Sequence, residues 1–251
     1  MRIAYLVVIV RDTHYAIRNL PTEPMTAPDD DSQTPRARRL ERLLDERAVA
    51  VLRVDDPASL SIVAEALLDG GISAIEVTMT VPGALGAIEA VRATVGDDGI
   101  VGVGSVLGAQ DALDAIQAGA EFVVSPVCKR SVVDTAHQQG VPALPGALTP
   151  TEIQTAHEAG ADVVKVFPAS TMGKSYLGAV KAPLPHLRLC PTGGVSLNDA
   201  GEWLRAGANM VGVGSALLRG ADPAAGDYDR ITANARRLRR SVEAVSDPES
   251  A

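Results

Sequence analysis

The sequence predicts a (β/α)8 TIM barrel of the α/β class with an extra N-terminal helix, and three observations predict it. First, four times an Ala- and Leu-rich amphipathic stretch ends at a glycine and passes at once into a β-branched run: DGGISAIEVT, QAGAEFVVSP, EAGADVVKVF and RAGANMVGVG. Gly71, Gly119, Gly160 and Gly207 stand where a helix end needs φ > 0, and the runs after them have the Val/Ile content of strands covered on both faces. Second, four further strand candidates lie between them, AVAVLR (48–53), IVGVG (100–104), VPALP (141–145) and LRLCP (187–191), each followed by a turn and a helical stretch. Third, about eight strands alternating with about eight helices is the number that closes a parallel barrel of roughly 200 to 250 residues. Alternation alone also fits an open doubly wound sheet, and the count favours closure.

In chain order, residues 1–35 include TEPMTAPDDDSQTP, which has no helical or strand period and is expected to be a disordered extension. Met25 opens a sequence able to stand alone as an N-terminus, so the residues before it read as an addition of little structural importance. Residues 36–251 are expected to form one barrel domain, since 251 residues with 46% hydrophobic and 22% charged suit a single substantial core. ARRLERLLDERA reads as the added helix, placed to cover the barrel floor. Its arginines, and the RRLRR run near the C-terminus, read as solvated helix faces rather than binding patches.

Several function classes are excluded. A net charge of −8 argues against a nucleic-acid partner, so any anionic ligand has to be met by local charge. The apolar run in MRIAYLVVIV is stopped by Arg11 and Asp12, far short of the roughly 20 residues a membrane helix needs. No small-residue cleavage site follows, so a cytoplasmic protein is expected. Cys128 and Cys190 lack C-x-x-C spacing and read as free thiols of a reducing compartment. His14, His137, His157 and His186 form no ligand pattern, so no metal or other cofactor is expected. PASTMGKS ends like a Walker A loop, but Pro168 occupies the position of its first glycine.

Barrel chemistry is built where strands finish, and the polar residues there are Arg53, Glu76 with Thr78 and Thr80, Ser105, Ser125, Lys165, Thr192 and Ser215. Lys165 lies between Val163, Val164, Val166 and Phe167, a setting in which lysine is rare unless something requires it. Burial disfavours the charged form of an amine, and the free amine is the form that attacks a ketone. A core lysine neutralised by a carboxylate is the competing reading. Glu76, in the apolar strand IEVT at the same rim, suits a general acid/base that moves protons for such a lysine, while a plain Lys–Glu core pair stays open. PTGG (191–194) and GVGS (212–215) follow the last two strands, where barrels commonly bind phosphate. Gly193, Gly194 and Gly214 allow close backbone approach there, and Ser215 adds a hydroxyl.

Taken together, IEVTMT, VGVGSVL, VVSP, PGALTPTE, VKVFPAS and PTGGVS, in this order over residues 45–220, resemble the bacterial 2-keto-3-deoxy-6-phosphogluconate (KDPG) / 4-hydroxy-2-oxoglutarate (KHG) aldolase family. The resemblance implies a metal-free class I aldolase, a homotrimer that cleaves KDPG between C3 and C4 to pyruvate and glyceraldehyde 3-phosphate. It implies that Lys165 forms the imine and Glu76 relays protons. It further implies that Ser105 touches the pyruvyl carboxylate, Pro126 and Phe167 wall the pocket, and Thr192 contacts the substrate near the carbonyl. Gly193, Gly194 and Ser215 would hold the phosphate. Thr80 departs from the pattern, standing where the gluconate branch carries a carboxylate-binding Arg. Arg53 and KVFPASTMGKSYLGAVKAPLP look like the related 2-keto-3-deoxy-6-phosphogalactonate branch, whereas PTGG looks like the gluconate one, so the C4 configuration of the substrate stays open. Outside these, a metal-dependent epimerase should bring His and Asp ligands to the strand ends, and none stands there. From a different class, a catalytically idle sugar-phosphate-binding barrel is separated from an aldolase by borohydride trapping with pyruvate.

Overall fold

The computed structural model describes residues 34–245, so the expectations for the N-terminal extension, Met25, the opening apolar run and His14 lie outside the described residues. Helix α1 spans Pro35–Glu46. Thr34 caps it by accepting a hydrogen bond from the Ala37 amide, and proline at the first position sacrifices no needed donor. The helix starts two residues before the ARRLERLLDERA stretch and stops before that stretch ends. Arg47 turns left-handed at φ 58 and Ala48 already belongs to a strand.

All strand pairs are parallel. The first sheet contains β1 (Ala48–Leu52), β2 (Ala74–Thr78), β3 (Ile100–Gly104), β4 (Val123–Val124), β5 (Ala143–Leu144) and β9 (Val211–Val213), in the order β5-β4-β3-β2-β1-β9. The second contains β6 (Gly146–Ala147), β7 (Val164–Val166) and β8 (Leu189–Pro191), in the order β6-β7-β8. VPALP (141–145) reads as one strand in sequence, yet only Ala143–Leu144 form β5, and past Pro145, which has no N–H to give a ladder, the chain continues as β6 beyond that stretch. Segment β5 pairs with β4 and β6 with β7. At the far side, Thr192 bridges to Gly212, which links the ends of β8 and β9. The result is a curled parallel sheet flanked by helices.

The helices alternate with the strands as expected: α2 (Leu60–Asp69), α3 (Ala84–Val95), α4 (Ala109–Gln117), α5 (Arg130–Gln138), α6 (Pro150–Glu158), α7 (Lys174–Lys181), α8 (Ala200–Arg205), the single turn α9 (Ser215–Leu218) and α10 (Tyr228–Glu243). The glycines after α2, α4, α6 and α8 have φ of 83, 106, 100 and 109, the left-handed geometry that stops a helix and turns the chain into the next strand. None of the described helices is long and apolar enough to cross a membrane.

Successive strand residues point to opposite faces, and two core clusters record it. Val49, Ala74, Ile100, Phe122, Val124, Leu144, Val163, Cys190 and Met210 pack together inside the curl with Leu43 of α1. Their neighbours Ala48, Ala50, Leu52, Ile75, Val77, Val101, Val103, Val164 and Val166 pack with the flanking helices. The arginines read as solvated faces are partly structural ties. Arg39 donates to the Gly140 carbonyl at 2.7 Å and Arg42 to the Asp97 carbonyl at 2.5 Å. Arg239 of α10 meets the Glu46 carboxylate at 2.5 Å and the Gly71 carbonyl at 2.6 Å. Guanidinium groups at helix ends find loop carbonyls that have no partner of their own. Leu43 is fully buried between α1 and the interior cluster. Leu43→Ala is expected to lower the unfolding free energy by about 2 to 5 kcal/mol, read from urea denaturation; a loss under about 1 kcal/mol would mean that α1 is not part of the cooperative core.

Candidate active site

Lys165 is the middle residue of β7, in register with Gly146 and Cys190 on either side. It has the parity of Val163, which lies in the interior cluster, and the opposite parity to Val164 and Val166. The ammonium-bearing chain therefore points into the curl. Glu76 enters from β2, in register with Val51 and Gly102. Lys165 Nζ lies 3.7 Å from Glu76 Oε1, with the side chains only 8% and 3% exposed. At that separation the charges attract strongly but share no hydrogen bond. Glu76 Oε1 is buried and has no hydrogen-bond partner, an acceptor left unused where most are satisfied. The Phe167 ring faces Lys165 Nζ at 5.4 Å from its centroid, a favourable cation–π placement.

Room for this pair comes from absent side chains. A Cβ on Gly104 at the end of β3 would stand 1.8 Å from Glu76 Oε1, and one on Gly212 would stand 2.3 Å from Thr192 Oγ1. Thr192 is itself buried, with its hydroxyl 3.4 Å from the Cys190 carbonyl.

A cavity of about 370 Å³ opens over the pair, and all the expected site residues but two line it. Arg53 borders it from the end of β1 and Ser105 from the end of β3. Ser105 has φ 61, a left-handed conformation that costs a non-glycine residue energy and is characteristic of functional sites. Pro126 and Phe167 form wall, while Thr192, Gly193 and Gly194 come from the loop after β8, and Gly214 and Ser215 from the end of β9. Thr78 and Thr80 are the two that the structure does not bring to the cavity. The Thr78 hydroxyl donates to the Leu52 carbonyl at 3.2 Å and lies 2.8 Å from the Thr80 hydroxyl, so the two threonines brace the ends of β1 and β2. Ser125 is also buried away from the cavity, accepting from the Val127 amide. His137 lies on α5 against Asp162, and His157 and His186 meet with ring centroids 4.9 Å apart and planes tilted by 56°; none borders the cavity.

Sequence reasoning missed Val51, Val195, Ser196, Ala216, Leu218 and Arg219, which also line the cavity. A signal existed for two of them. Val51 shares the parity of Arg53, and Arg219 follows Ser215 by four residues, close to one helical turn.

The loop after β8 has the geometry of an anion cradle. Gly193 and Gly194 have φ of 84 and 92. The carbonyls of Thr192 and Gly193 accept from the Ala169 and Ser170 amides, each at 2.9 Å, which pins the loop through its acceptors. The amides of Gly193, Gly194 and Val195 donate to no other described residue, so their N–H groups stay available. The cavity's formal charges are Lys165, Arg53 and Arg219 against Glu76, a positive balance in a chain of net charge −8.

Comparison with known proteins matches residues 40–234 to the description "Aldolase: KDPG and KHG aldolase". The chain belongs to the KDPG and KHG aldolase family. A 2-dehydro-3-deoxy-phosphogluconate aldolase from Treponema pallidum is 38% identical over 195 residues, covering 77% of this chain and 91% of the relative. A 2-dehydro-3-deoxy-6-phosphogalactonate aldolase from Escherichia coli is 33% identical over 172 residues, covering 68% and 84%. Among solved structures, a KDPG aldolase from Legionella pneumophila, described with pyruvate captured at low pH as a covalent carbinolamine intermediate, superposes with a TM-score of 0.73 at 27% identity, covering 82% of this chain and 98% of that one. The relatives are aldolases, and aldolases are lyases. The Lys165–Glu76 pair has Cys190 as a neighbour, in register with Lys165, and burial pushes its thiol from the ordinary 9.0 up to about 12. In the unfolded chain that thiol ionises first, so its contribution to stability is complete below about pH 9 and is lost as pH rises toward about 12. The wild-type stability is thus expected to fall by up to about 1.4 kcal/mol per pH unit more steeply than that of Cys190→Ala across this window, measured by urea denaturation; parallel pH profiles would refute it.

Proposed function

We propose that this aldolase cleaves KDPG to pyruvate and glyceraldehyde 3-phosphate by class I chemistry, with Lys165 as the Schiff-base nucleophile and Glu76 as the general acid/base. The observation that carries the reading is the approach of Lys165 Nζ to Glu76 Oε1 at 3.7 Å in a buried cavity, with the carboxylate oxygen free of any other partner.

The proton inventory closes with these two groups. Glu76 takes a proton from the Lys165 ammonium, and the amine attacks the C2 ketone. The resulting hydroxyl leaves as water with that proton, giving an iminium. Glu76, again a carboxylate, takes the C4 hydroxyl proton as the C3–C4 bond breaks and its electron pair moves into the iminium, releasing the aldehyde and leaving an enamine. Protonation of C3 by Glu76 and hydrolysis of the imine release pyruvate. Ser105, at the end of β3, suits the pyruvyl carboxylate, and Thr192 lies beside the reacting carbonyl. Pro126 and Phe167 bound the substrate, while the free amides of Gly193 and Gly194, with Gly214 and Ser215, suit the phosphate.

The curled sheet is taken to close as an eight-stranded barrel. The Thr192–Gly212 bridge supports closure on one side, and the passage of residues 143–147 from β4 to β7 supports it on the other. Helix α1 would then be the extra helix over its floor, which the packing of Leu43 supports. A homotrimer and a cytoplasmic location complete the reading; the exposed Leu107 and Val127 offer apolar surface to neighbouring copies, and two free thiols suit a reducing compartment.

A second reading, the galactonate epimer as preferred substrate, is favoured by one observation: Arg53 borders the cavity while Thr80 does not. Pyruvate release from the two epimers, side by side and with and without EDTA, assigns the branch. Borohydride with pyruvate is expected to fix a three-carbon adduct on Lys165. Lys165→Ala should abolish cleavage in a folded protein, and Glu76→Gln should lower kcat by about 10² to 10⁴-fold. Cleavage that survives in Lys165→Ala, or that EDTA removes, overturns the class I reading.

A further inference from the structure

The donors at the β8–β9 end of the cavity are neutral. The unpaired amides of Gly193, Gly194 and Val195 and the Ser215 hydroxyl can orient an anion, but they carry no full charge against a phosphate dianion. The chain's net charge of −8 repels such a ligand at long range, so a compensating cation has to stand at the site itself. Three cations border the cavity. Lys165 is engaged with Glu76, and Arg53 extends from β1 just beyond Val51, the residue in register with Glu76, which puts it on the strand beside the reacting pair. Arg219 is left. It follows Ser215 by a single helical turn, on the segment that leaves β9.

Two features bear on Arg219. Like Arg53, it has no side-chain hydrogen bond or ion pair to a described residue, whereas Arg36, Arg39 and Arg42 of α1 and Arg230 and Arg239 of α10 are tied to carboxylates or carbonyls. Its backbone is also held from beneath. The buried Asn234 of α10 donates through Nδ2 to the carbonyls of Leu217 at 2.9 Å and Arg219 at 3.2 Å. A core amide spent on two carbonyls at the end of this short, half-buried turn fixes where it presents its side chains.

We propose that Arg219 binds the phosphate of the substrate and so determines the preference of this enzyme for phosphorylated over unphosphorylated 2-keto acids. This rests on the aldolase reading above and adds to it a residue that the glycine loops do not imply. The planar guanidinium can give two parallel N–H bonds to phosphate oxygens while the loop amides meet the others.

The test compares wild type, Arg219→Gln and Arg219→Lys on KDPG, on its unphosphorylated counterpart 2-keto-3-deoxygluconate, and with inorganic phosphate as a competitive inhibitor. Arg219→Gln is expected to raise KM for KDPG about ten- to a hundredfold, to lower the phosphorylated-over-unphosphorylated preference by the same factor, and to weaken phosphate inhibition in parallel. Arg219→Lys should fall between, since it keeps the charge and loses the fork. Far-UV circular dichroism checks that each variant is folded. If wild type is active and Arg219→Gln keeps both its preference and its phosphate inhibition, the role of Arg219 is overturned while the aldolase stands. If Arg53→Gln alone collapses the preference, the phosphate belongs to Arg53 and the proposal also falls. If wild type cleaves neither substrate and traps no pyruvate, the aldolase reading itself fails, and this inference with it.

Discussion

Lys165 and Glu76 face each other at 3.7 Å inside a wall of valines, and the rest of the architecture is arranged around what that costs. Two charges withdrawn from water are expensive, and their attraction offsets the cost only when the geometry is held. Here it is held by strands rather than loops, with Lys165 in the ladder between β6 and β8 and Glu76 in the ladder between β1 and β3. Neither backbone can shift without breaking parallel pairing on both sides. The pair is nevertheless not a closed salt bridge, because the separation exceeds a hydrogen bond and Glu76 Oε1 keeps its acceptor free.

Space is the second constraint. The interior layer beneath the pair is filled by Phe122, Ile100, Leu144 and Met210, and the layer of the pair itself is opened by Gly102, Gly104 and Gly212. Phe122 lies where a Cβ on Gly102 would be, so the same glycine-rich strand IVGVG accommodates a large ring below and a carboxylate above. Bulk at the floor and emptiness at the rim explain how one curled sheet supports both a dry core and a cavity.

Charge is the third. An acidic chain gathers Lys165, Arg53 and Arg219 at one opening, together with loop amides that donate to no other described residue while the carbonyls of that loop are held. The Lys165–Glu76 pair and the glycine loop are separate parts of a single surface, one supplied by β2 and β7 and the other by the segments after β8 and β9.

How much of this was legible in the sequence follows from the range of the forces involved. Local features were: the glycines that stop α2, α4, α6 and α8 need φ > 0 whatever surrounds them, and strand content reads directly from β-branched runs. Lys165 and Glu76 also stood out, because an ionisable residue in an apolar strand is anomalous without knowledge of its partner. What the sequence could not determine was convergence. Thr78 and Thr80 occupy a rim position in sequence, yet the hydroxyl of Thr78 reaches Leu52 on the adjoining strand, a contact set by the pairing of β1 with β2. The strand read at VPALP shrank to the two residues of β5, because past Pro145 the chain leaves β4 and pairs as β6 with β7. Arg219 looked like any arginine after a short apolar turn until Asn234, from a helix beyond it, fixed that turn at the mouth of the cavity. Local conformation is dictated by local sterics and was written in the residues; which side chains meet across the curled sheet depends on register and closure between distant segments, and only the tertiary structure decided it.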